Sequence, residues 1–166
     1  MKNVPLIFIL CLLLLSMLTN SCKKDKGTSI QNLFSSGKWE LTTVVVTVTQ
    51  GDSVKYDTLN TDCPEKQLFT LNADGTCNYT NFHCKTQISN GRWSLSPDQL
   101  YLKSDIVCQD TVKLGPGKST PFSNAQILTV GQYSMVLITG DIQNYSNTQK
   151  RTVMRYGFVK QKVITQ

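Results

Sequence analysis

The chain has 166 residues, 40% of them apolar, and a formal net charge of +6 from 17 Lys and Arg against 11 Asp and Glu. That length suits one domain behind a short leader. The basic residues are scattered, without a basic stripe interleaved with aromatics, which argues against a nucleic-acid partner.

Lys2 precedes an apolar run from Val4 to Leu15 that fades through Ser16-Met17-Leu18. A bilayer-spanning helix needs roughly 20 apolar residues; this run is shorter and contains Pro5, so it reads as the apolar region of a signal peptide. It ends in Leu18-Thr19-Asn20-Ser21-Cys22, followed by Lys23-Lys24-Asp25-Lys26. A small residue directly before a cysteine at this place resembles the lipobox of bacterial lipoproteins, whose cysteine sulfur takes a diacylglycerol before cleavage. The usual leucine three residues before the cysteine is Thr19 here, as in the looser boxes of Bacteroidota. The resemblance implies that residues 1–21 are removed, that Cys22 is lipidated, and that residues 22–34 form a tether. More than one acyl chain gives a stable membrane anchor. Surface export in that group resembles a signal of acidic residues after the cysteine. With one acid among three bases here, the expected address is the periplasm-facing leaflet of the outer membrane.

Residues 35–166 read as the folded domain. Ser29 to Phe34 suits one helical turn. Lys38 to Thr49 is a long β-branched run with strong strand preference. Gly51-Asp52 turns it into Ser53–Leu59. Leu68–Leu71 and Thr76–Tyr79 flank Asp74-Gly75 and read as a hairpin. Asn90-Gly91 marks either a turn or a strand start before Arg92–Leu95. Ser96-Pro97-Asp98-Gln99 is a turn, Leu100–Lys103 alternates, and Gly115 to Pro121 is the clearest loop. Strands follow at Ala125–Val130, Ser134–Thr139 and Thr152–Lys160. Eight or nine short strands spaced by turns predict an antiparallel barrel or, alternatively, a β-sandwich. Side chains expected to point inward include Leu41, Phe69, Leu71, Tyr79, Trp93, Leu95, Leu100, Leu102, Met135, Leu137, Tyr156 and Phe158, with Arg155 outward by strand parity.

Cys11 leaves with the leader and Cys22 is committed to lipid. Cys63, Cys77, Cys84 and Cys108 remain, an even set in an exported chain, and two disulfides are expected. If the hairpin centre lies between Ala73 and Asp74, residue 63 falls opposite residue 84. That favours Cys63–Cys84 and leaves Cys77–Cys108. A zinc site lacks its ligand spacings, since the sole histidine, His83, directly precedes Cys84.

Gly37-Lys38-Trp39 opens the first strand after a helical turn, the Gly-x-Trp pattern of lipocalins. With Asp62-Cys63, Phe69-x-x-Asn72-x-Asp74-Gly75-Thr76, Cys84, Gly91-Arg92-Trp93-Ser94-Leu95 and Leu100-Tyr101-Leu102, the chain from Ser35 to Val159 resembles the lipocalin-like lipoprotein domain of Bacteroidota. The resemblance implies an eight- or nine-stranded barrel with Trp39 at its floor and a late arginine, Arg151 or Arg155, packed on that ring. Asp52-Ser53-Val54, Asp57-Thr58-Leu59 and Asp110-Thr111-Val112 resemble O-glycosylation sites of exported proteins in the same group, at Ser53, Thr58 and Thr111.

Catalysis finds no support. His83, expected at the surface, has no evident nucleophile and orienting partner. The carboxylates are dispersed, and no cofactor motif is present. Two functions remain open. One is a barrel that binds a small apolar or amphipathic ligand, lined by Phe69, Tyr79, Trp93, Leu102 and Tyr156. The other is a filled-core lipoprotein that binds a protein or glycan partner. An apolar pocket open at one end marks the first, and a filled interior the second.

Overall fold

The structure is a computed structural model that describes residues 29–110, 117–146 and 148–162. The expected leader, Cys22 and most of the tether lie outside the described residues, as does Thr111. Among the described residues no helix is long and apolar enough to cross a membrane.

A short helix, α1 (Ile30–Phe34), opens the domain. Ser29 caps it, its Oγ accepting from the Asn32 N–H at 3.2 Å, so an orphan helix donor is satisfied by a side chain. The strands that follow are β1 (Lys38–Gln50), β2 (Ser53–Leu59), β3 (Leu68–Leu71), β4 (Thr76–Thr80), β5 (Ile88–Leu95), β6 (Tyr101–Ser104), β7 (Cys108–Gln109), β8 (Lys118–Ser119), β9 (Ala125–Val130), β10 (Ser134–Gly140) and β11 (Arg151–Lys160). Nine of them form one antiparallel sheet in the order β11-β10-β9-β6-β5-β4-β3-β1-β2. β11 also pairs with β1, so eight strands close into a barrel and β2 is left outside it as an edge. The barrel, not the sandwich, is the fold. β7 and β8 make a separate two-stranded ladder that includes part of the segment read as loop.

β1 pairs with three strands of this sheet because it is long. Lys38–Glu40 pair with β3, and Val44–Gln50 pair with β2, while β11 runs along nearly all of it. The β1–β11 register slips between Leu41 and Thr43, where Gly157 stands opposite Thr43. A Cβ on Gly157 would lie 2.5 Å from Thr43 Oγ1. A glycine is therefore needed where the bulged strand bends toward its neighbour.

The β3–β4 hairpin pairs Leu71 with Cys77, so its centre falls on Asp74 and not between Ala73 and Asp74. The turn has Gly75 at φ +81°, the left-handed conformation that glycine tolerates. Asp74 holds it, accepting from the Thr76 N–H at 2.9 Å.

Inward and outward faces alternate as strand geometry requires. Leu41, Phe69, Leu71, Tyr79, Trp93, Leu102, Met135, Leu137, Tyr156 and Phe158 are buried, Leu95 is half-buried and Arg155 is exposed. Leu100 departs from the expectation and is 54% exposed. It leaves the Ser96–Gln99 turn with its N–H bonded to Asp98 Oδ1 at 3.1 Å, one residue before the strand begins.

Candidate functional site

α1 leads into β1 at one side of the barrel and packs against the end of β5 and against β9, so it crosses one end of the barrel. Trp39 sits beneath it, fully buried, with its indole N–H donating to the Phe34 carbonyl at 2.8 Å. Phe34 is also fully buried, its ring 5.8 Å from that of Trp93. The cation on Trp39 is Lys160, with Nζ 5.1 Å from the ring centroid. Neither expected arginine takes that place. Arg155 faces out, and Arg151 donates through Nε to the Asp141 carbonyl at 2.8 Å. Lys160 stands directly across the ladder from Trp39, which no arginine does.

Four of the five expected lining residues meet in the barrel interior. Phe69, Tyr79, Leu102 and Tyr156 are at most 1% exposed. What fills the space between them is Phe122, from the turn before β9. Its ring lies 4.9 Å from Phe69, 5.5 Å from Tyr79 and 5.2 Å from Tyr156. Phe82 closes on Tyr79 edge-on at 5.5 Å. These are the centroid spacings at which aromatic pairs attract. Burial drives the Tyr79 phenol well above its ordinary range and pushes that of Tyr156 up to about 12, as expected for hydroxyls whose charged form would be desolvated. The interior is an aromatic core. Phe122 and Phe82 escaped the sequence reading because each stands outside a strand, where alternation gives no signal.

Trp93, the fifth candidate, looks elsewhere. It is 6% exposed, and its indole N–H donates to the Asn72 carbonyl at 2.8 Å. The residue also lines a lateral groove of about 560 Å³ with Arg92, Ser94, Lys103, Ser104, Asp105, Thr120 and Ser123. A second groove of about 430 Å³ shares Trp93 and Ser94 and runs beside α1 to Pro97 and Gln99. Asp105 Oδ1 accepts from the Arg92 N–H. That approach requires Gly91, where a Cβ would lie 2.3 Å from the same oxygen. The groove beside Trp93 is thus framed by hydroxyls and charges of both signs. Phe69, Tyr79, Leu102 and Tyr156 line neither groove.

Cys63 and Cys84 are disulfide-bonded, with Cα atoms 5.1 Å apart. They are not ladder partners, because the hairpin register differs from the expected one and pairing stops at Leu68 and Thr80. Instead Asn81, His83 and Cys84, at φ +58°, +53° and +61°, turn the chain back through Phe82–Cys84 toward Cys63. The expected Cys77–Cys108 bond is absent, and both are buried free thiols. Cys77 Sγ lies 3.4 Å from Ser104 Oγ, whereas Cys108 lies beside Ser89. Ser89 stands opposite Tyr79, two residues along β4 from Cys77. A two-residue step is about 7 Å along a strand, so the thiols occupy different layers of the core. Burial raises both, Cys108 to about 11.

His83 is not the surface histidine expected from sequence. Its ring stacks on Phe82 at 3.9 Å, and Nδ1 lies 3.2 Å from Asp110 Oδ1, with both side chains 16% exposed. The contact is close without aligning as a hydrogen bond. Burial lowers the His83 pKa, and Asp110 opposes the shift. Among the described residues no three of His, Cys, Asp and Glu come together to hold a metal. Ser53 and Thr58 are exposed on β2.

A family model for the lipocalin-like domain matches residues 36–137. The match covers more than half of the chain, which therefore belongs to the lipocalin-like domain family. No curated protein matches it. The matched segment ends at Leu137 within β10, so β11, which closes the barrel, lies beyond it. A barrel of this family has a general capacity to bind a ligand.

Proposed function

We propose that this chain is a non-enzymatic lipoprotein of the bacterial envelope. Cys22 anchors it by lipid to the periplasm-facing leaflet of the outer membrane. Its barrel is a filled scaffold that works through its outer surface, with the Trp93 groove as the contact for a protein or glycan partner. The observation that carries this reading is Phe122, whose ring takes the place a ligand would take among Phe69, Tyr79 and Tyr156. The anchor reading is supported by the apolar run ending at Ser21-Cys22 and by the short span to Ser29, the first described residue before α1. Exposure of Ser53 and Thr58 is compatible with O-glycosylation at β2.

A second reading is favoured by the groove itself. Arg92 and Lys103 beside Trp93 suit a small amphipathic molecule with an anionic head, held outside the barrel.

The anchor is tested by Cys22→Ala, which should leave the protein uncleaved or soluble. Retention in the detergent phase after leader removal would overturn it. Protease shaving of intact cells tests the leaflet, since the domain should survive until lysis. The groove is tested by a photo-crosslinking residue at Ser94 in cells, with one at the exposed Thr129 as control. A defined adduct from Ser94 alone is expected, and equal labelling from the two positions would remove the groove assignment.

A further inference from the structure

β2 is an edge with an unusual charge pattern. Among the described residues its only sheet partner is β1. All of Ser53 to Thr58 is exposed, Tyr56 by 73% and Val54 by 47%. Gln50 pairs with Ser53 across the two-residue turn Gly51-Asp52. The pair flanking such a turn is hydrogen-bonded, and the direction of backbone groups then alternates along an antiparallel ladder. Ser53, Lys55, Asp57 and Leu59 therefore turn their backbone groups to β1. Val54, Tyr56 and Thr58 turn theirs to the open edge.

Exposed edges of this length are usually blocked, often by a lysine. Lys55 stands there, but Asp57 follows two residues later on the same face. If a second β2 pairs antiparallel about Tyr56, Tyr56 meets its own copy, Val54 meets Thr58, and Lys55 meets Asp57 twice. The free backbone groups of Val54, Tyr56 and Thr58 then bond to those of Thr58, Tyr56 and Val54. The neighbouring registers put Lys55 against Lys55 or Asp57 against Asp57, and like charges directly opposite are destabilising. Charge thus selects one register, and that register satisfies the backbone.

We infer that the open edge of β2 is an interface for a second copy of this chain, joined antiparallel about Tyr56 into a sheet continuous across two barrels. The contact is isologous and closes on itself, as a two-fold dimer requires. It stands apart from the Trp93 groove and does not rest on the function proposed for it.

The test uses the full lipidated chain in detergent. Samples labelled with donor and acceptor dyes are compared by energy transfer, and all carry the same anchor, so sharing of micelles is common to them. Lys55→Asp gives a strand with two acids and Asp57→Lys a strand with two bases. Each alone should weaken self-association about tenfold or more, and an equimolar mixture of the two should restore wild-type transfer. Circular dichroism checks that the exposed substitutions leave the fold intact. Tyr56→Cys should also form an intermolecular disulfide on mild oxidation. Wild-type transfer no higher than that of the single variants, or a mixture that fails to recover, would overturn the inference.

Discussion

Lys160 holds its ammonium 5.1 Å over the Trp39 ring, directly across the β1–β11 ladder from it. Its stem crosses Gly37, and Nζ also donates to Ser36 Oγ. The last strand is thereby fastened over the first at the end that α1 covers. Trp39→Ala should cost roughly 3–5 kcal/mol in urea melts, the usual loss for a large buried aromatic. Lys160→Met keeps the stem and removes the charge, so about 0.5–1 kcal/mol should be lost, and the double variant should show coupling. A Trp39 variant of wild-type stability would remove this residue from the account.

The thiols separate by bonding state. In unreduced, denatured mature protein an alkylating reagent should modify Cys77 and Cys108 and spare Cys63 and Cys84. In the native state Cys77 and Cys108 should react slowly, because both are buried and their thiolates are disfavoured. Mass spectrometry of the alkylated peptides reads both results. Loss of the Cys63–Cys84 bond, at a separation of 21 residues, should cost about 3 kcal/mol on the loop-entropy model. Labelling of Cys63 without reductant would contradict the pairing.

Alternation carried most of the fold. Leu41, Phe69, Leu71, Tyr79, Leu102 and Tyr156 face inward because the period of a strand is two, and that period is visible in a single sequence. Asp74-Gly75 marked a turn, but its centre needed the Gly75 conformation, and half a residue of error changed which residues stand opposite. Cys63–Cys84 was reached through that register yet forms by a different route, through the left-handed backbone at Asn81, His83 and Cys84. The packing of Phe122 among the inward aromatics was not legible. That residue is an aromatic in a turn after Pro121, whose direction is set by tertiary packing. Lys160 as the cation on Trp39 depends on strand register, and no local motif encodes it.

His83 should make stability depend on pH. Burial lowers its folded-state pKa below the ordinary 6.5, although Asp110 opposes the shift. The unfolded chain therefore binds a proton more readily, so the fold keeps its full stability above about 6.5 and loses some as pH falls from there toward the lower folded-state pKa. Wild type and His83→Gln, melted across this range, should differ by a slope of that sign. A wild type that gains stability relative to the variant on acidification would reverse the assignment.

Phe122→Ala removes the ring at the centre of the aromatic core. It should cost roughly 3–5 kcal/mol and leave an apolar cavity. A cavity lined by Phe69, Tyr79 and Tyr156 can then take a small aromatic molecule, as dry engineered cavities do. Benzene should therefore raise the melting temperature of the Phe122→Ala chain and leave that of wild type unchanged. Equal shifts in the two chains would mean that the wild-type interior already has room.

The filled barrel is tested most directly by native mass spectrometry of the full chain purified from its own host and released from detergent. The expected mass is that of polypeptide, anchor lipid and any covalent glycan. A further apolar molecule held at one copy per chain, and lost when the chain is unfolded, would contradict it.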